Sequence, residues 1–147
     1  MLRDDGVESA GIALANQVSG PRERRLLVAE LRLPVAADYR VRGPIAAQLS
    51  PDFVAAVVAE ARSRGMSTVF VHTHPFADDP TFSSVDDAGE VALSEFLNRR
   101  IPGAPHAALV LGRASAAARL LGPGAPLAVS VVGANIRKFA ADAWFGS

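Results

Sequence analysis

Ser67-Thr68-Val69-Phe70-Val71-His72-Thr73-His74-Pro75 is rich in β-branched and aromatic residues and stops at a proline, which predicts a buried strand over 67–74. Side chains along a strand alternate faces, so His72 and His74 project to one side and Thr73 to the other. Upstream, Ser50 and Pro51 precede Phe53, Val54, Val57, Val58 and Ala61 at helical spacing, and Gly65 follows. This pattern predicts a helix with an N-cap, a first-turn proline and a C-terminal glycine. Downstream, a loop from Phe76 to Phe82 leads to Ser83 and a second helical pattern of Val85, Ala88, Val91, Ala92, Phe96 and Leu97. That helix ends near Arg99 and Arg100, whose charges suit a helix C-terminus, before Pro102 and Pro105.

Further out, the chain reads as strands. One begins at about Gly11. A second covers Arg25 to Leu33, with Leu27, Ala29, Leu31 and Leu33 on one face, Leu26, Val28, Glu30 and Arg32 on the other, and Pro34 closing it. Tyr39 to Arg42, Ala107 to Leu111, Ala116 to Leu121 and Leu127 to Val132 complete the strands, and Asn135 to Trp144 forms a terminal helix. The order β, β, β, α, β, α, β, β, β predicts an α/β fold of mixed α+β type, a mixed sheet flanked by helices. At 147 residues it forms a single domain over residues 1–147, large enough to bury one core.

Fifteen basic residues balance fifteen acidic ones, and no basic stripe is present, which argues against a nucleic-acid or anionic-membrane partner. The amino terminus lacks the pattern of a signal peptide, and the longest uncharged run, Leu120 to Ile136, is broken by Pro123 and Pro126, so a cytoplasmic protein is expected. With no cysteine, the chain excludes a disulfide framework, a thiolate zinc site, an iron–sulfur cluster and a thiol nucleophile. A metal must then be held by His, Asp or Glu.

His72 and His74 on one face of a strand have the spacing of a metal-ligand pair. Alone, such a pair is as often two surface histidines at a strand end. Seven residues separate Pro75 from Ser83, and Asp86 stands three beyond it. Ser-x-x-Asp at a helix start is in its plain reading a capping arrangement. Preceded by the histidines, it also delivers a carboxylate ligand and a rigidly held hydroxyl suited to steadying an oxyanion. Two His and one Asp leave the fourth tetrahedral position of a zinc ion to water, the pattern of a catalytic site. Water activated in this way needs a carboxylate outside the ligand set to move its proton.

The run His72-Thr73-His74-Pro75 with Ser83 and Asp86 resembles the JAMM metalloproteases, the MPN-plus branch of the JAB/MPN family. Glu8-Ser9-Ala10-Gly11-Ile12-Ala13-Leu14-Ala15 is similar to the strand that carries the family's glutamate, with Ala15 in place of its last glycine. The resemblance spans about Glu8 to Val132 and implies a JAB/MPN-like domain. It implies one zinc ion on His72, His74 and Asp86, with Glu8 as proton shuttle and Ser83 as oxyanion donor; Glu30 is the second choice for the base. The implied activity is cleavage of the amide bond after the Gly-Gly end of a ubiquitin-like or sulfur-carrier protein, in the manner of a deubiquitinating isopeptidase. Activating and conjugating enzymes of the same pathway are its expected partners. The chain departs from the family in having only seven residues before Glu8, where members carry a helix, and in a short turn from Arg100 to His106, where ubiquitin-chain-cleaving members insert a loop. Other readings are a noncatalytic MPN scaffold, a RadC-like protein linked with DNA repair, and a His-x-His phosphoesterase, which ordinarily needs a larger barrel. His106 is expected to be a surface or hydrogen-bonded histidine, and Asp78, Asp79, Asp87 and Glu90 a solvated acidic rim.

Overall fold

A computed structural model describes residues 6–43 and 47–129. Its elements are β1 (Ala10–Ser19), β2 (Arg24–Arg32), β3 (Tyr39–Arg42), β4 (Ala47–Leu49), α1 (Pro51–Ser63), β5 (Ser67–Thr73), α2 (Ser84–Arg100), β6 (Ala107–Leu111), β7 (Ala116–Leu120) and β8 (Pro126–Leu127). Six strands form one mixed sheet in the order β2-β1-β5-β6-β7-β8, and β3 and β4 make a separate two-stranded ribbon. The β5–β6 pair is parallel and joined by α2, and every other pairing is antiparallel. The expected mixed α/β architecture is therefore present. No helix among the described residues is long and apolar enough to cross a membrane.

Alternation along β1 divides the core in two. Ile12 and Leu14 meet Val57, Ala61 and Met66 on the face that carries α1. Ala13 and Ala15 join Val69, Val71 and Ala107 on the opposite face. Val58 and Leu97 bring both helices to the first face, over Ala108 and Leu121. The α1 helix starts where its capping chemistry dictates: the Ser50 hydroxyl accepts from the Phe53 amide at 3.3 Å, and Gly65 ends it at a φ of 63°.

Three expectations need correction. The register of β1 and β2 shifts between Leu14 and Ala15, so Leu31 lies opposite Ala13 and Val28 opposite Ala15. This bulge puts Leu26, Val28, Leu31 and Leu33 on one face instead of Leu27, Ala29, Leu31 and Leu33. In α2 the inward stripe is Asp86, Glu90, Leu93 and Leu97, whereas Val85 and Val91 are exposed. Among the described residues the last strand is Pro126–Leu127, with no strand at 128–129, and β4 is an additional strand. Positions 130–132 and the expected helix from Asn135 to Trp144 lie outside the described residues.

Candidate metal centre

The carboxyl end of β5 and the first turn of α2 converge on the helix-bearing face of the sheet. Ala10 pairs with His72, and Thr73 is bonded to Ser9, so the antiparallel register carries Glu8 to the position opposite His74. His72, Ala10 and Glu8 share a face by alternation. Asp86 joins them because it stands on the inward stripe of α2.

One nitrogen from each of His72 and His74 and one Asp86 oxygen all lie within 4.8 Å of one another. His72 Nε2 is 3.3 Å from Asp86 Oδ1, close to the roughly 3.3 Å that separates two ligands of a tetrahedral zinc at about 2.0–2.1 Å. Beyond this 3.3 Å approach, the buried His72 Nε2 has no hydrogen-bond partner among the described residues. A buried imidazole nitrogen without a partner is costly unless something else satisfies it. A cation bound by two imidazoles and a carboxylate does so, and the donor set thus fits a metal ion.

Charge states agree with that fit. Burial lowers the basicity of His74, as does the neighbouring His72, against a smaller opposite pull from Asp86, so a neutral ligand ring is favoured. Against the upward push of burial, the His72 ring and the Ser83 amide and hydroxyl hold the Asp86 carboxyl well below its ordinary value. Glu8 is buried, with Oε1 3.7 Å from His74 Nε2. Burial raises its pKa, His72 lowers it and Asp86 raises it further, for a net upward shift. A carboxylate tuned upward in this way is suited to taking and returning a proton.

Ser83 caps α2. Its hydroxyl donates to Asp86 Oδ2 at 2.8 Å and accepts from the Asp86 amide at 3.2 Å, and its own amide donates to Oδ2 at 2.6 Å. Asp86 therefore closes the capping box with Oδ2 and turns Oδ1 toward His72. The capping role is therefore compatible with a ligand role, one for each carboxylate oxygen.

The remaining candidates lie elsewhere. Glu30 is on the edge strand β2, paired with Arg32 and Arg64 at 2.5 Å each. His106 is buried at the start of β6, where Nδ1 accepts the Thr68 amide at 3.0 Å and meets the Thr68 hydroxyl at 2.8 Å. Asp87 pairs with Arg119, Glu90 also pairs with Arg119, and Asp78 pairs with Arg113, so much of the acidic rim is neutralised by arginines.

Sequence reasoning missed the residues that hold the Glu8 segment. The Tyr39 hydroxyl accepts from the Ala10 amide and donates to the Ala10 carbonyl, and Arg42 reaches the Ser9 hydroxyl at 2.9 Å and the Glu8 carbonyl at 3.3 Å. The Glu8 amide donates to Gly43 O at 3.0 Å. The one local mark was Thr73, a hydroxyl residue between His72 and His74. The loop from Phe76 to Phe82 is anchored on the turn after β6, where Arg113 N donates to Ala77 O at 2.8 Å and Ser115 Oγ donates to Asp78 O at 2.9 Å. Compared with protein-family models and with curated proteins, the chain matches none.

Proposed function

We propose that the protein is a zinc-dependent peptidase or isopeptidase of the JAMM type, acting on the amide bond that follows the C-terminal Gly-Gly of a ubiquitin-like or sulfur-carrier protein. The observation that carries it is the approach of His72, His74 and Asp86 to within 4.8 Å of one another with the Glu8 carboxylate 3.7 Å from His74. The choice of amide substrate rests on the resemblance of His72-Thr73-His74-Pro75, Ser83 and Asp86 to that family. His72, His74 and Asp86 would hold the metal, which when bound would polarise the scissile carbonyl and acidify water. Glu8 takes the water's proton and returns it to the leaving amine. Ser83 faces the oxyanion, which requires its hydroxyl to turn from Asp86 Oδ2. A noncatalytic scaffold has no use for a buried proton-shuttling carboxylate beside an intact ligand set.

The test is metal analysis together with cleavage. The purified protein should hold about one zinc per chain, lost on His72→Ala or His74→Ala, because two remaining ligands make a weak site. Zinc-loaded protein should cut a ubiquitin-like protein extended past Gly-Gly after the second glycine and leave casein intact. Refusal of added zinc, or comparable cleavage of casein, would refute the proposal.

A further inference from the structure

We propose that Thr73, the residue between the two histidines, is a positioning residue that sets Glu8 against the metal ligands; this rests on the metallohydrolase reading above. Thr73 points away from His72 and His74 by strand alternation and is 1% exposed. Its amide donates to Ser9 O at 2.9 Å, as an antiparallel ladder requires. The Ser9 amide donates to Thr73 Oγ1 at 2.9 Å, a bond buried from solvent. A regular hydrogen-bonded pair would instead exchange two backbone bonds. The Thr73 side chain thus takes the part its own carbonyl would otherwise play, at the point where the strand leaves the ladder for Pro75.

Ser9 is the residue next to Glu8, and Thr73 is flanked by both histidines. The two-point clamp therefore joins the segment carrying the base directly to the segment carrying two ligands, across 64 residues of chain. Arg42 holds the third handle of Ser9, its hydroxyl, from the other side. With Ser9 fixed at its amide, carbonyl and hydroxyl, the Glu8 side chain starts from one backbone position, on the same face as His72. Without the Thr73 acceptor, the Ser9 amide must find another partner, and the Glu8 backbone moves with it. A displacement of about 1 Å at a reacting group is enough to cost about 10²-fold in rate.

The experiment compares Thr73→Val, which keeps the shape and removes the acceptor, with Thr73→Ser, which keeps the acceptor. In zinc-loaded Thr73→Val, kcat on the Gly-Gly-extended substrate should fall roughly 10–10²-fold with KM and zinc content unchanged. Hydrogen exchange at the Ser9 amide should accelerate at least about tenfold as its buried bond is lost. Thr73→Ser should stay within about threefold of wild type in both readouts because the bond is retained. Should Thr73→Val not fold, Thr73→Ala, whose smaller side chain admits water to the Ser9 amide, serves in its place with the same expectations. An active wild type whose Thr73 variant keeps kcat within twofold, or loses activity only in proportion to lost zinc, would overturn this inference and leave the proposed function standing. A zinc-loaded wild type without amidase activity would overturn both.

Discussion

Glu8 and Glu30 were the two candidates for the base, and their surroundings separate them. Glu8 is buried beside His74, and Glu30 is engaged by two arginines on an edge strand. Glu8→Gln should lower turnover by about 10²–10⁴-fold while zinc content stays at wild-type level, because the amide keeps the shape but cannot accept the proton. Glu30→Gln should leave turnover unchanged; steady-state kinetics with metal analysis on both variants checks this pair. Gly112 is a second residue whose identity is dictated by its surroundings. A Cβ there would stand 2.6 Å from Pro80 Cδ and 2.7 Å from the Ala77 carbonyl oxygen. Pro80 is fully buried, and Ala77 O is already bonded to Arg113 N, so neither yields easily. Gly112→Ala should destabilise the fold by about 1–3 kcal/mol through overpacking. It should also speed the loss of zinc to a chelator, since the loop it displaces connects His74 to Ser83.

At the scale of elements, β2 is tied to α1 by ion pairs of Glu30 and Glu60 with Arg32 and Arg64. Hydrogen bonds from Arg64 and Arg32 pull the Glu30 pKa down from 4.5 to about 2, and Glu60 is lowered by the same two partners, Arg32 first. A carboxylate with a depressed folded-state pKa stabilises above its unfolded value and loses that contribution as pH falls through the folded value. The thermal midpoint should therefore drop between pH 4.5 and about 2, and less steeply in Glu30→Gln, as followed by circular dichroism. These groups are partly exposed to solvent, so the slope should weaken in high salt. Helix positions were legible in the sequence because Ser50, Pro51 and Gly65, and Ser83 with Arg99 and Arg100, mark ends by local chemistry. The cluster of His72, His74 and Asp86 was legible for a similar reason: it is carried by strand alternation at His72 and His74 and by a helix cap at Asp86. The phase of β2 was not, since a bulge is set by pairing with β1 and leaves no mark in Arg24–Arg32 itself. Three-residue β4 was too short to show a period, and the exposure of Val85 and Val91 depends on which stripe of α2 meets the sheet. The Tyr39 and Arg42 contacts to Glu8, Ser9 and Ala10 are long-range and follow only from the tertiary fold.

For the molecule as a whole, a ligand that binds only the folded state stabilises it by mass action, about 2.7 kcal/mol at a free concentration a hundredfold above its dissociation constant. For a chain of this length, saturating zinc should raise the melting temperature by about 5–10 °C, and should not do so in His72→Ala. Differential scanning calorimetry with and without chelator checks it. The six-stranded order places β1 between β2 and β5, so the Glu8 segment joins the site only after strands distant in sequence have paired. His72, His74 and Asp86, in contrast, come from one continuous stretch of β5, loop and α2. On the proposed reading, holding zinc is then a local property of the chain, and hydrolysis is a global one. Partial unfolding that peels β1 from β5 would leave a protein that retains its metal and has lost its base. In mild denaturant, activity should accordingly vanish before the zinc does, which makes metal content a poor assay of whether a preparation is alive.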